Sequence, residues 1–451
     1  MEAERVNNAC MNASRSYIVA PPPAHSFTAS RWHFPSARAS FTKTPPMTTC
    51  HAALAAATRT TLLACALVLS GCGGGGSSST TNSTGFTAMV SYGDSLSDVG
   101  TYEVGAIAAA GGGQWTVNSP TVKNWTELIA AQYGLPAPCA AQTGLFSIIP
   151  GIAAVAVQDF PACRNYAQGS SRITSPAGPN SVAIQQGVLA ATGSAAAATQ
   201  AAGLGLMAVP VVNQMATHLG RVGGSYGGKE LVTVFAGAND VFLNLNGVSS
   251  AAGGGAGAVG AAQFAGWSPA VQGAVAAGGA AAVSAASQAA VAGMAQAGSE
   301  LAAAIEMQIL AKGAKYVVVV NVPDIAQTPF AMALDAGSRG LINQLVTTFN
   351  STVSQALAGK PGVLLVDAYT QGRDQFVNPA QYALSNISAP ACSKTSAANP
   401  LAGSSLACTS ASTIGGDTSR YLFSDDVHPT PYAYLLLAQF VTQQLATAGW
   451  L

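Results

Sequence analysis

The sequence predicts an α/β domain built on a doubly wound parallel sheet. Short apolar runs at residues 86–92, 231–236, 316–320 and 363–366 alternate with stretches of helical periodicity, as in repeated β-α-β units. Three of the four runs are almost continuously apolar, which is expected when helices cover both faces of a sheet. A sizeable core is available, because 49% of the 451 residues are hydrophobic.

Helices are predicted between these runs and after the last one. Apolar residues recur there at intervals of three and four, which places them on one helical face. Glycines stand where two of the helices would end, and a Thr-Pro pair suits the start of the third. The predicted helices are 302–312 ending at Gly313, 341–353 ending before Gly359, and 432–445 beginning after Thr430 and Pro431.

The first 85 residues do not follow this pattern. Residues 1–46 lack periodicity, and we interpret them as a disordered or over-extended start without function. Residues 47–72 have the order of a secretory signal, and their Leu-Ser-Gly-Cys ending resembles a bacterial lipoprotein cleavage box. This predicts lipidation of Cys72 in an exported protein, with residues 73–85 as a Gly/Ser linker. An ordinary secretory leader, giving a secreted or periplasmic protein, is the alternative.

The charge pattern excludes a nucleic-acid partner. Charged residues make up 8% of the chain, with 18 Lys and Arg against 18 Asp and Glu, so there is no basic field to neutralise a phosphate backbone. Beyond the signal, no segment gives the run of about 20 apolar residues that a bilayer requires. We therefore expect a soluble domain that contacts a membrane only through the lipid on Cys72.

The cysteines indicate disulfides rather than a metal site. Four of the eight lie at or before the proposed cleavage, and export permits the remaining four to oxidise. The sequence-local pairs Cys139–Cys163 and Cys392–Cys408 are the simplest of the three possible connectivities. Neither pair has zinc-ligand spacing, and no histidine cluster is present. No metal and no cofactor are expected.

Residues 246–298 differ from the rest of the domain, since they are rich in Ala, Gly and Ser and carry few charges. We expect a variable surface insertion that is helical in its Ala-rich second half. A lid that covers the substrate, or a loop for surface adhesion, is the alternative.

The first motif with catalytic potential follows the first predicted strand, where residues 92–98 read Tyr-Gly-Asp-Ser-Leu-Ser-Asp. Ligand sites in open α/β sheets collect at the carboxyl ends of the strands, so Ser95 stands where a reacting group is needed. Gly93 permits a tight turn, and Asp94 can hydrogen-bond the loop into shape. Taken alone, the motif could equally be a structural turn.

A base for this serine is available near the carboxyl terminus, where residues 425–429 read Asp-Asp-Val-His-Pro. A serine hydroxyl needs an imidazole to take its proton, and the imidazole needs an acceptor that fixes its tautomer. His428 and one of the two aspartates can supply both. His218 has no acidic neighbour and is interpreted as structural.

Acyl transfer also requires hydrogen-bond donors for the developing oxyanion. Asn239 follows the 231–236 strand and places an amide at the carboxyl end of that strand. Gly169 has no side chain, so its backbone N–H can approach a ligand closely. Separately, either residue could belong to an ordinary turn.

In this order, the four pieces resemble the lipases and esterases named for the Gly-Asp-Ser-Leu motif, the SGNH hydrolases. The resemblance covers residues 86–451 and implies a flavodoxin-like, three-layer α/β/α fold. It implies that Ser95 is the nucleophile, that His428 is the base, and that Asp425 rather than Asp426 is its partner. It assigns the oxyanion hole to Ser95, Gly169 and Asn239. Ser170 departs from the pattern, because many relatives have a second glycine there.

The resemblance implies a serine ester hydrolase that cleaves carboxylic esters, either small molecules or lipids, through an acyl-enzyme on Ser95. A phospholipase or a lipid acyltransferase using the same site is the alternative within enzymes. A catalytically silent surface lipoprotein that uses the fold for binding is the alternative from another class. That reading predicts a broken catalytic block, and none of the blocks is broken.

Overall fold

The computed structural model of the chain describes residues 83–451. The extension 1–46, the signal 47–72 with Cys72, and nearly all of the linker 73–85 lie outside the described residues. Within the described part, no helix combines the length and the apolar character that crossing a bilayer would need.

The strands of the described residues are β1 Ala88–Gly93, β2 Gln142–Leu145, β3 Val155–Asp159, β4 Glu230–Phe235, β5 Tyr316–Val320, β6 Val363–Val366, β7 Asn386–Pro390 and β8 Tyr421–Phe423. A four-stranded parallel sheet forms the centre of the domain, in the order β1-β4-β5-β6. It agrees with the four predicted strands to within two residues at each end. Two small two-stranded sheets, β2-β3 and β7-β8, lie outside it.

The helices follow the strands in alternation. In chain order they are α1 Gly105–Ala109, α2 Trp125–Gln132, α3 Val182–Thr192, α4 Ala195–Ala202, α5 Val211–Arg221, α6 Ala238–Ala251, α7 Gly255–Ala265, α8 Pro269–Ala276, α9 Gly279–Ala304, α10 Pro329–Met332, α11 Ala336–Leu357, α12 Ala368–Val377 and α13 Pro431–Thr447. A π-helical turn at Ile305–Ile309 and a 3-10 turn at Leu310–Lys312 extend α9 up to Gly313.

The predicted helix boundaries have identifiable physical causes. Gly313 has φ +97° and Gly359 has φ +69°, a left-handed conformation that glycine adopts without steric cost and that commonly terminates helices. The Thr430 side chain accepts a hydrogen bond from the N–H of Ala433 and caps α13. The predicted helix 302–312 is the end of a much longer one, because α9 begins at Gly279.

An extended segment at residues 164–168 adds a fifth position to the edge of the sheet beside β1. The N–H of Ser91 donates to the carbonyl of Arg164 at 3.0 Å, and the N–H of Tyr166 donates to the carbonyl of Ser91 at 2.8 Å. With this segment the order is that of a flavodoxin-like sheet, whose direction of winding reverses between β1 and β4. The crevice at this reversal lies beyond the carboxyl ends of β1 and β4.

Alternate residues of the strands point into two separate cores, which establishes three layers. Val90, Val232 and Val317 pack with α5, α6, α9 and α11 on one face of the sheet. Leu231 and Val318 pack with α2 and α13 on the other face. The fold is therefore the doubly wound α/β/α architecture that the sequence predicts.

The Ala-rich insertion 246–298 differs from its prediction. It is helical in both halves, through the end of α6, all of α7 and α8, and most of α9. It is also not a surface excursion, since Ala262, Val275, Ala286, Ala290 and Met294 are fully buried members of the main core. Small side chains let these helices pack closely. A segment whose composition is typical of a loop therefore forms part of the core.

Both predicted disulfides are present. Cys139 and Cys163 are joined with an S–S distance of 2.02 Å, and Cys392 and Cys408 with 2.01 Å. Disulfides persist in oxidising compartments, so the pairs are consistent with a protein that leaves the reducing cytoplasm.

The packing of the insertion gives a stability prediction. Ala286 is completely buried, so Ala286→Leu should overpack the core and lower the free energy of unfolding by about 1–3 kcal/mol. Ala281 lies on the same helix but is exposed, and Ala281→Leu should change stability by less than about 0.5 kcal/mol. Urea unfolding measures both variants. Equal stabilities would contradict the buried placement of α9.

Candidate active site

Ser95 stands immediately beyond the end of β1, held by contacts between β1 and β4. The N–H of Asp94 donates to the carbonyl of Phe235 at 3.3 Å, and a Cβ atom at Gly93 would overlap that same carbonyl. The Gln214 side chain accepts from the Gly93 N–H at 2.9 Å and donates to the Gly93 carbonyl at 2.8 Å. Glycine is therefore required at position 93 by the close approach of the two strands.

Ser95, His428 and Asp425 form a continuous hydrogen-bonded chain. The distance from Ser95 Oγ to His428 Nε2 is 3.0 Å, and His428 Nδ1 lies 2.9 Å from both carboxylate oxygens of Asp425. A carboxylate at Nδ1 holds the proton on that nitrogen, which leaves Nε2 free to accept from the serine hydroxyl. Asp426 instead pairs with Lys394 at 2.7 Å.

The Asp425 carboxylate is held by three backbone N–H groups. Val427 and His428 donate to Oδ1 at 3.0 and 2.8 Å, and Ser405 donates to Oδ2 at 2.9 Å. Burial alone would raise the pKa of Asp425, but the His428 ring and these donors outweigh it and hold the pKa well below its ordinary value. The group therefore remains a carboxylate through the working pH range.

The imidazole of His428 also rests on an aromatic ring that the sequence analysis did not single out. Trp115 lies with its ring centroid 4.8 Å from that of His428 and the planes inclined by 34°. Its indole Nε1 donates to Asp98 Oδ2 at 3.4 Å. The indole ring therefore packs against the same imidazole that lies next to Ser95. No periodicity or motif marks Trp115 in the sequence.

Asn239 lies in the first turn of α6, directly beyond β4, and lines the same cavity as Ser95. Its amide Nδ2 donates to the carbonyl of Ser171 at 3.0 Å. An amide has two N–H groups, so this bond fixes the orientation of the side chain and leaves the second N–H for a ligand.

The Gly169 N–H does not point into the site, contrary to expectation, because it donates to Asp98 Oδ2 at 2.9 Å. The next residue, Ser170, lines the cavity and has φ +71°. Within residues 83–451, no acceptor is found for the N–H of Ser170 or of Ser95. The Ser170 N–H is thus available to a ligand in the cavity, and it stands at the position where many relatives have their second glycine.

A buried ion pair fixes this segment against the start of α6. Arg172 Nε lies 2.8 Å from Asp240 Oδ1, and the N–H of Ile173 donates to Asp240 Oδ2 at 3.1 Å. Arg172 Nη1 also donates to the carbonyl of Phe264 at 2.7 Å, at the end of α7. The segment that carries Ser170 is therefore held by both α6 and the insertion.

Comparison with known proteins identifies the family. A family model described as GDSL-like Lipase/Acylhydrolase matches residues 89–441, which is more than half of the chain. The chain belongs to this family. No curated protein matches the chain. Membership in the GDSL-like family indicates a hydrolase of esters or lipids with the SGNH α/β fold.

His218 of this GDSL-like protein lies in the core and not in the candidate site, in agreement with its interpretation as a structural residue. It is buried among Tyr92, Tyr166 and Tyr226, and its Nδ1 lies 3.2 Å from the Tyr166 hydroxyl. Burial lowers the pKa of His218 to about 4, so the ring is neutral at physiological pH.

A cavity of about 220 Å³ opens in front of Ser95. Its walls are mainly apolar, and Ser95, His428 and Asn239 place polar groups among them, a combination typical of sites for small organic ligands. Lys394 and Asp426 also line the cavity. The apolar lining residues include Leu96, Leu204, Phe242, Ile325, Phe376, Leu422, Val427 and Leu437.

Asp94 is a buried carboxyl beside Ser95. Its Oδ1 accepts from the N–H of Leu96 at 3.1 Å, whereas Oδ2 has no hydrogen-bond partner among the described residues. Burial raises the pKa of Asp94 from 3.8 to about 7. Between these values the folded chain holds a proton that the unfolded chain has lost, so this group's contribution to stability falls as pH rises.

We therefore expect Asp94→Asn to weaken the pH dependence of the free energy of unfolding between about pH 4 and 7. Denaturant titrations at several pH values measure this dependence. Asp417 is exposed, and hydrogen bonds from Ser419 lower its pKa. Asp417→Asn should therefore leave the pH dependence of the free energy of unfolding in this range unchanged. If the free energy of unfolding of Asp94→Asn followed the same pH dependence as that of the parent, Asp94 would not titrate in this range.

Proposed function

We propose that the protein is a serine esterase that cleaves carboxylic esters through an acyl-enzyme on Ser95. The observation that carries the proposal is the hydrogen-bonded chain from Ser95 Oγ through His428 to Asp425, at 3.0 and 2.9 Å, on the wall of an apolar cavity. Family membership supports the coarser statement, a hydrolase of esters or lipids.

In the first step, Ser95 Oγ attacks the ester carbonyl carbon while His428 Nε2 takes the hydroxyl proton. The imidazolium is stabilised by the Asp425 carboxylate at Nδ1 and by the Trp115 face. The tetrahedral intermediate collapses when His428 returns the proton to the leaving alkoxide. The alcohol leaves, and the acyl group remains esterified to Ser95.

The oxyanion of the intermediate would be held by three N–H donors. These are the backbone N–H of Ser95, the backbone N–H of Ser170 and the free N–H of the Asn239 amide. All three residues line one cavity with His428. Donors that are fixed before the reaction cost no reorganisation when charge develops, which makes them effective in catalysis.

In the second step, His428 takes a proton from a water molecule, and the resulting hydroxide attacks the acyl carbon. The second tetrahedral intermediate releases Ser95 Oγ, which recovers its proton from His428. The product is a carboxylic acid. The apolar walls of the cavity favour an ester with an apolar acyl or alcohol part.

We further propose that this reaction takes place outside the cytoplasm. The two disulfides favour an oxidising compartment. Membrane attachment through a lipidated Cys72 remains a prediction from the sequence.

Ser95→Ala should abolish hydrolysis of p-nitrophenyl esters and labelling by a fluorophosphonate probe, because no other hydroxyl is hydrogen-bonded to His428 Nε2 within residues 83–451. Ser170→Ala is the matched control, since it removes a second hydroxyl from the cavity but keeps the backbone N–H. It should retain both labelling and turnover. Labelling that persists in Ser95→Ala would place the nucleophile elsewhere.

Asn239→Ala should lower kcat by about 10²–10³, with a smaller change in KM, because a side-chain oxyanion donor acts mainly on the transition state. Ser170→Gly should keep kcat within about threefold, because it retains the N–H and glycine adopts φ +71° readily. Steady-state kinetics with a p-nitrophenyl ester compares the two. A parental kcat in Asn239→Ala would remove that residue from the oxyanion hole.

A further inference from the structure

The loop between Cys392 and Cys408 lies against the catalytic carboxylate. The N–H of Ser405, within this loop, donates to Asp425 Oδ2 at 2.9 Å. This is the only one of the three donors to Asp425 that comes from outside the 425–428 turn. Its position therefore depends on how the 392–408 loop is held.

The disulfide ties both ends of this loop to the region of the triad. At one end, the N–H of Cys392 donates to the carbonyl of Ser424, the residue before Asp425, at 2.8 Å. At the other end, Cys408 follows the 3-10 turn Ser405–Ala407 directly. Both cysteines are buried, with exposed fractions of 1% and 0%.

A second anchor fixes the turn that carries the donor. The Asn118 amide donates to the carbonyls of Ser405 and Cys408 at 2.9 and 3.0 Å, and the Asn118 N–H donates to the Cys408 carbonyl at 2.7 Å. Ser405 is completely buried, and its hydroxyl has no hydrogen-bond partner among the described residues. At this position the backbone N–H makes the polar contact, and the side chain does not.

We propose that the disulfide-closed loop 392–408 is a positioning element of the triad, which holds the Ser405 N–H on Asp425 and thereby fixes the carboxylate against His428. The inference rests on the proposed esterase mechanism. A hydrogen bond to a charged group is among the stronger single contacts in a protein. Its loss would let the carboxylate rotate and would misorient the imidazole when Ser95 attacks.

Ser405→Pro tests the donor directly, because proline has no N–H. Ser405 is the first residue of the 3-10 turn, and Ser404 before it has φ −59° and ψ 136°, a backbone that accepts a following proline. We expect kcat to fall about 10-fold or more, with KM within about twofold. The acid limb of kcat/KM should move relative to that of the parent, since the loss of a donor changes the charge and the position that the Asp425 carboxylate presents to the imidazole.

Ser405→Ala is the matched control, because it keeps the N–H and removes only an unpartnered hydroxyl. It should show the parental kcat and the parental acid limb. If circular dichroism shows that Ser405→Pro is folded, and its kcat and acid limb equal those of Ser405→Ala, the positioning role is wrong. An activity that survives Ser95→Ala would instead overturn the esterase mechanism itself, so the two failures are distinguishable.

The disulfides offer a second test that does not depend on how proline is accommodated. The double variant Cys392→Ala/Cys408→Ala should lower kcat and shift the acid limb in the same direction as Ser405→Pro. The control variant Cys139→Ala/Cys163→Ala removes the other disulfide and should leave kcat and the acid limb unchanged. Both double variants should lose thermal stability. Assays run well below the melting temperature of each. Equal kcat and equal acid limbs for the two folded double variants would overturn the proposal.

Discussion

The candidate site depends on the hydrogen bond between Ser95 and His428, which joins two loops 333 residues apart in the chain. One partner follows the first strand and the other precedes the last helix, so the bond forms only when the whole sheet is assembled. The reversal of winding between β1 and β4 opens the crevice in which they meet. The sheet topology therefore determines where the site lies, and the loops that enter the crevice carry its polar side chains.

Buried carboxylates hold the elements of this site in place, each in a different way. Asp98 accepts from the N–H groups of Gly100, Thr101 and Gly169, and so fixes the loop beside Ser95. Asp240 pairs with Arg172 and fixes the segment that carries Ser170. Asp425 holds the ring of His428. Burial raises the pKa of Asp98 and of Asp240. Burying these carboxyl groups costs free energy, which their hydrogen bonds and the ion pair with Arg172 offset.

The fold and the placing of Ser95 and His428 could be predicted because their signals are local, whereas the choice of Asp425 over Asp426 came from the family resemblance. Apolar runs mark the strands, and Ser95 and His428 lie in short motifs at the end of a strand and before a helix. The Gly169 N–H was expected to face the cavity but donates to Asp98 instead, because the direction of a backbone N–H depends on dihedral angles such as φ +71° at Ser170, which residue type does not determine. The Ser405 donor has the same character, because any residue except proline would supply it.

The insertion was misread for a related reason, and its contacts argue against a lid. Its Ala-rich composition leaves no amphipathic stripe, yet small side chains allow α9 to pack against α6 and α11 in the main core. The guanidinium of Arg172 donates to the carbonyls of Phe264 and Ala265 at the end of α7, where the helix dipole favours a cation. A mobile cover could not keep such buried bonds to the segment of Ser170. These contacts favour an insertion that packs into the core and supports the segment of Ser170.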